Sequence, residues 1–157
     1  MVIFFGKAET DSEFKERATK LKKPKKRKKL KLKSEINRKA LKKNLDKLVS
    51  AIVKIKAGGK CEFCGSRTRV LHAHHVFSRT HAGTRWDFNN LIVLCAGHHF
   101  HAHKDPEKFR DWMLSHRYNE KEYQLLKLRA YAVTKFTGSD LVLLEKDMQK
   151  KLEEVKP

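Results

Sequence analysis

Within residues 61–103 the chain carries all three of its cysteines and eight of its nine histidines, all but His81 in the runs CEFCG, LHAHHVFSR and DFNNLIVLCAGHHFHAH. Metal-ligand spacing dictates which backbone segments must meet, so this stretch constrains the fold more than any other. Cys61-x-x-Cys64 and Cys95-x-x-His98 read as two knuckle pairs that close one tetrahedral Cys3His zinc site. His74, His75, His99 and His103 need a separate account. If the chain turns helical near Ala96, His99 and His103 fall one turn apart on the same face. His98 lies about 100° around that helix from His99. It can therefore serve the zinc site while its neighbours open toward a second metal. His101 is turned away from both and reads as a spectator, and His72 as packing or solvated.

Charge narrows the class of partner. The 157 residues hold 37 Lys+Arg against 18 Asp+Glu, a net charge of +19. The excess is one-sided: residues 1–60 contain 21 basic and 6 acidic groups, residues 61–157 only 16 and 12. Such a block is the footprint of a polyanion partner, and nucleic acid fits better than a membrane surface. No long apolar span or lipidation signal is present. The opening MVIFFG is too short for a signal-peptide core and has no basic residue ahead of it. Three patterned cysteines without an export signal imply reduced, metal-binding thiols and an intracellular, cytoplasmic setting.

The length suits one compact domain with an appendage. Residues 1–33 form a basic, flexible N-terminal arm; positions 20–33 hold ten cations and no acid. Lys25, Lys26, Arg27, Lys28 and Lys29 at its centre are candidate phosphate contacts, a solubility tail being the plainer reading. Residues 34–59 predict an amphipathic basic helix: Ser34 as N-cap, a stripe of Ile36, Ala40, Leu41, Leu45, Leu48, Ile52 and Ile55, and Gly58-Gly59 as its end. Its cations fall off the apolar stripe. Residues 60–116 predict a zinc knuckle, a strand from Val70 to Phe77, a loop over 78–90, a return strand from Leu91 to Leu94 and a helix near Ala96. Loop residues Arg79 and Arg85 are candidates for gripping phosphate, with His81 a weaker one. Asp105-Pro106 starts a further helix, whose Phe109, Trp112 and Met113 read as core. Over residues 117–157, Asn119 and Glu122 predict a capping box for a helix to about Phe136. Ser139 or Asp140 then caps a last helix to Glu154. The expected class is α+β.

The histidine pattern resembles the HNH (ββα-metal) nuclease motif. His74-His75 is followed by Asn90 fifteen positions after the second histidine, by His99 nine later, and by His103 four beyond that. The resemblance implies a small zinc-stapled ββα-metal core surrounded by helices. It implies that His75 is the general base and that Asn90 fixes the loop or orients His75. It also implies that His74, His99 and His103 hold a catalytic divalent cation: Mg²⁺, Mn²⁺, Ni²⁺ or Zn²⁺. The lysine-rich segment, GGKCEFCG, HVFSRTHAGTRWDFNN and LC are similar to phage recombination nucleases of the NinG/Rap type over roughly residues 40–115. That similarity implies DNA as the partner and a place in phage-type recombination or DNA processing. The HHFHAH cluster departs from that type and is closer to the DNase colicins and general HNH enzymes.

These residue types suit phosphodiester hydrolysis. A neutral imidazole is a base matched to physiological pH. Adjacent side chains on a strand diverge, so His74 and His75 should have separate duties. The alternative is a non-catalytic, zinc-finger-like DNA-binding protein, which explains the charge and the Cys3His set but leaves four histidines without a role.

Overall fold

A computed structural model describes residues 37–67 and 70–156. The basic arm with Lys25–Lys29, and the expected Ser34 cap with Ile36, lie outside the described residues. The architecture is mixed α and β. In order it comprises α1 (Arg38–Lys56), β1 (Leu71–His75), short 3-10 turns at Ala82–Thr84 and Phe88–Asn90, β2 (Leu91–Cys95), α2 (Ala96–Lys104), α3 (Pro106–His116), α4 (Glu120–Tyr131) and α5 (Gly138–Val155). No helix among the described residues is long and apolar enough to cross a membrane.

β1 and β2 pair antiparallel, with His74 opposite Ile92 and His75 opposite Leu91. Side chains alternate across a sheet, which sorts β2 between two cores. Ile92 and Leu94 join Ala102, Phe109, Met113, Leu126 and Ala130 from α2, α3 and α4. Leu91 and Val93 join Leu45, Val49, Ile52, Val53, Leu141 and Met148 from α1 and α5. The sheet is thus covered on both faces, which is why LIVL reads as an unbroken aliphatic run. Its outer edge is closed too. Val93 N–H donates to Glu62 Oε1 at 2.7 Å and Glu62 N–H to the Val93 carbonyl at 2.8 Å, while Arg117 donates to the Leu91 carbonyl at 2.9 Å and pairs with Glu62. A two-stranded sheet has little stability of its own, and these contacts spare it an exposed edge.

Local chemistry sets most boundaries. Asn37 caps α1 through its side chain, accepting from Ala40 N–H at 3.1 Å. The helix buries Val49 and Val53 beside Leu45 and Ile52, whereas Ile55 of the expected stripe is exposed. It ends in a Schellman motif: Gly58 has φ +63°, Gly58 N–H donates to Ile55 and Gly59 N–H to Lys54. Asp105 caps α3 with Pro106 inside the first turn, and Asn119 and Glu122 form the expected capping box of α4.

Three boundaries differ from expectation. β1 covers Leu71–His75 rather than 70–77, because the chain turns to meet Asn90, whose side chain binds both backbone polar groups of Phe77. α4 stops at Tyr131 rather than near Phe136; Ala132 turns extended ahead of Val133 and Thr134, both β-branched. The N-cap of α5 is Thr137, not Ser139 or Asp140; Asp140 is the third helical residue and answers Thr137 in a reciprocal capping box. The loop expected over 78–90 holds the two 3-10 turns and is pinned to α4. A Cβ on Gly83 would lie 2.6 Å from the Arg129 carbonyl oxygen, and Asp87 pairs with Arg129.

Candidate functional site

The knuckle that follows α1 bends tightly. Cys61 N–H donates to the Ser66 carbonyl, Gly65 N–H to the Cys61 carbonyl, and Gly65 takes φ +70°. This turn and the start of α2 bring Cys61, Cys64, Cys95 and His98 together, with their ligand atoms all within 4.8 Å of one another. Cys95 Sγ lies 3.1 Å and Cys61 Sγ 3.8 Å from His98 Nδ1. A tetrahedral ion with Zn–S bonds of about 2.3 Å needs neighbouring sulfurs about 3.8 Å apart, so the set fits a metal such as zinc. None of the three cysteines is in a disulfide. Burial raises the Cys61 thiol, but backbone N–H groups of Cys95, Cys64 and Phe63 outweigh it and hold the pKa below the ordinary thiol value. That favours the thiolate, the form that binds metal. Phe63 stacks on the His98 ring with centroids 4.2 Å apart, fixing its plane.

A second cluster forms on the opposite side of α2. The ligand atoms of His74, His99 and His103 also lie within 4.8 Å of one another. Strand alternation puts His74 on the same sheet face as its partner Ile92, toward α2, where His99 and His103 stand one turn apart. His74 is 6% exposed, and its Nδ1 has no hydrogen-bond partner. A buried polar atom without a partner is rare. Here the ring sits beside two other imidazoles, with centroids 5.4 Å from His99 and 5.0 Å from His103, an arrangement a cation would complete. Burial, then the neighbouring His103 and His99, lower the His74 pKa to about 4, so the ring is neutral and its lone pair free. Burial lowers His99 as well. His72 stacks on His99 at 4.9 Å, in keeping with a packing role, and His101 belongs to neither cluster.

His75 points the other way. It shares the sheet face of Leu91, toward α1, and its Nε2 lies 3.1 Å from the Arg85 carbonyl oxygen. A carbonyl only accepts, so Nε2 carries the proton and Nδ1 keeps the lone pair. Burial lowers the His75 pKa against the opposing pull of that carbonyl, leaving the ring neutral.

Two loop residues hold this arrangement from beneath. Asn90 is fully buried; its Oδ1 accepts from Phe77 N–H at 2.7 Å, and its Nδ2 donates to the carbonyls of Phe77 and Thr84 at 2.9 Å each. It therefore fixes the loop, and its side-chain hydrogen bonds go to backbone rather than to the His75 ring. Arg85 donates to both carboxylate oxygens of Asp46, at 3.0 and 2.7 Å, and Trp86 Nε1 adds a third bond at 2.9 Å. The Arg85 guanidinium is thus engaged within the protein, while Arg79 lines the clefts on both sides of His75 with no carboxylate partner among the described residues. His81 packs edge-on against Tyr131.

Asp46 is the residue of this candidate site that sequence reasoning passed over. Its signal was present: it is the sole acid in residues 36–60, a helix otherwise rich in lysine. Compared with family models, curated proteins and solved structures, the chain matches none.

Proposed function

We propose that this chain is a metal-dependent endonuclease of the HNH (ββα-metal) type that hydrolyses DNA phosphodiester bonds. The observation that carries this reading is the divergence of two adjacent histidines. His74 enters a three-imidazole cluster, while His75 is held by a backbone carbonyl with a free ring nitrogen. In this reading the β1–β2 hairpin and α2 are the ββα-metal core, and the Cys3His set holds a structural zinc that staples a hairpin too small to be stable alone.

His74, His99 and His103 fit a divalent cation, which when bound supplies charge neutralisation at the scissile phosphate and stabilises the leaving 3′ oxygen. Imidazoles favour Zn²⁺ or Ni²⁺, and the HNH resemblance also allows Mn²⁺ or Mg²⁺. His75 accepts the proton of the attacking water at Nδ1; Nε2 stays bound to the Arg85 carbonyl, so the ring keeps its orientation as charge develops. Asp46 holds Arg85, and Asn90 holds the turn between Phe77 and Thr84, so the carbonyl that orients the base is fixed at both ends. Arg79 is placed to face phosphate charge. DNA is the substrate that the basic excess supports, and phage-type recombination or DNA processing is the setting implied by the NinG/Rap likeness. A zinc-finger-like binding module would use the Cys3His set but gives no reason for an orphaned imidazole nitrogen in a second cluster.

Single-turnover cleavage of supercoiled plasmid tests the proposal. The parent should nick or linearise DNA with at least one of Mg²⁺, Mn²⁺, Ni²⁺ or Zn²⁺, and EDTA should abolish it. Inertness with every ion would overturn the enzyme reading.

A further inference from the structure

The cleft of about 380 Å³ beside His75 is walled by α1, and that wall is a ladder of cations. Lys43, Lys47 and Lys54 line it, with Ser50 between them, and Arg79, His75 and His99 are also in the lining. Steps of four, three and four residues put these α1 positions on one helical face. None of the three lysines has a carboxylate partner among the described residues. Among the described residues the only acid lining the cleft is Asp46, and Arg85 already occupies both of its oxygens. Like charges one turn apart destabilise a helix, so an unrelieved ladder favours an anionic occupant.

The ladder does not end there. A second cleft shares Arg79, Arg85 and Trp86 with the first, adds Arg38, Lys42 and Lys135, and has no acid among the described residues that line it. The two form one cationic track that passes the candidate base. Along the α1 axis, Lys43 to Lys54 covers about 16 Å. That is the axial rise of about five nucleotides in one strand of a duplex, at about 3.4 Å each.

We infer that this track binds the phosphodiester backbone of duplex DNA, with Lys43, Lys47, Lys54 and Arg79 against phosphates that flank the cleavage point. The inference rests on the nuclease reading and gives it a substrate path outside the histidine motif. The track is recessed between a helix and a strand, which suits a narrow polyanionic chain and excludes a flat membrane surface.

The test is equilibrium binding by the full-length chain, dialysed against a mild chelator that spares the Cys3His zinc and with no divalent ion added, so that cleavage cannot interfere, over a series of salt concentrations. Probes are a short labelled DNA duplex and its RNA counterpart. Each lost phosphate contact lowers the slope of log K against log salt by about 0.9. The triple variant Lys43→Gln, Lys47→Gln, Lys54→Gln should therefore lose about 2–3 units of slope. A charge-matched control, Lys121→Gln, Lys127→Gln, Lys146→Gln, should lose less than about 0.5. Ser50→Glu, which removes no cation, should weaken binding at least about tenfold by setting a like charge among phosphates. Melting temperatures close to the parent's would show that all variants are folded. Equal slope losses in the two triple variants, or a neutral Ser50→Glu, would overturn the track. Loss confined to the RNA duplex would overturn the DNA assignment. Track-specific loss in a parent that cleaves nothing would remove the nuclease reading and leave this inference standing, whereas a parent that binds no duplex would overturn both.

Discussion

The Nε2 of His75 sits 3.1 Å from the carbonyl oxygen of Arg85, ten residues further along the chain. That distance depends on a residue neither of them adjoins. Asp46, on α1, takes three hydrogen bonds from Arg85 and Trp86 and so fixes the loop that presents the carbonyl. Asp46→Ala should free Arg85 and lower stability by about 1–3 kcal/mol, the range for losing charge-assisted hydrogen bonds in a half-buried setting. Cleavage should fall in kcat more than in KM, because substrate contacts remain while the base loses its orientation. Asp46→Asn, which keeps the shape and part of the bonding, should recover most of the stability. Equal losses in the two variants would argue against this account.

The same pair fixes a pH dependence. Burial raises the Asp46 pKa, but hydrogen bonds from Arg85 and Trp86 and the Arg85 charge outweigh it and hold the group below the ordinary 3.8. A carboxyl depressed on folding contributes stability that is present above its unfolded pKa and lost as pH falls through the lower, folded one. The stability gap between the parent and Asp46→Asn should stay level from neutral pH to about pH 5 and close only below about pH 4. Denaturant titrations at several pH values would check it. A gap that closes near pH 6 would assign the effect to histidine instead.

Asn90 offers a different kind of prediction. Removing its side chain leaves the N–H and carbonyl of Phe77 buried without partners, while the Thr84 carbonyl keeps only the Asp87 N–H at 3.2 Å. At about 1–3 kcal/mol for each unmet buried group, Asn90→Ala should cost several kcal/mol. Hydrogen exchange at the Phe77 amide should accelerate well before exchange in α5, since the loop opens first. Preserved stability with lost cleavage would move Asn90 from the loop to the reacting centre.

Much of this site was legible in the sequence because its determinants are local or periodic. The Asp105-Pro106 start and the Asn119–Glu122 box satisfy backbone N–H groups within three residues. The separation of His74 from His75 follows from the two-residue period of a strand, and that of His98 from His99 from the helical period. The parts that were not legible are long-range. The sequence marks Arg85 as a candidate phosphate contact but does not show that Asp46, 39 positions away, lies against it. Glu62 and Arg117, 55 apart, close the sheet edge on the same principle. Such pairs arise only when α1, the hairpin and the C-terminal helices have packed, and no short-range pattern encodes which acid meets which base.

Metal content should separate the two clusters. Purified protein should retain one zinc per chain after dialysis against mild chelator, because Cys61, Cys64, Cys95 and His98 offer the four ligands of a closed tetrahedral site. A second divalent ion at His74, His99 and His103 should exchange freely, since three ligands leave open positions. Cys61→Ser should lose the first ion and, with it, cooperative unfolding of the hairpin core. A zinc-free chain that melts normally would contradict the stapling role.

The decisive comparison is between His75→Ala and His74→Ala. The two residues are neighbours in sequence, but they face α1 and α2 respectively and touch different partners. Truncating His75 removes the ring whose Nδ1 is free to take a proton; it leaves the three-imidazole cluster and the cationic clefts intact. Cleavage should fall by about 10²–10⁴-fold, the usual contribution of a general base, with zinc content and DNA affinity unchanged. Added metal should not restore it. Truncating His74 instead removes one of three ligands and the orphaned nitrogen, so divalent-ion affinity should drop and raised metal should restore part of the rate. Burial of His74 against Phe109 also predicts a stability loss for this variant that His75→Ala does not share to the same degree. Thermal melts alongside metal titrations of the cleavage rate would separate these effects. If His75→Ala cleaved at nearly the parent rate, or if metal rescued it as well as His74→Ala, the division of labour between the two faces of β1 would be wrong.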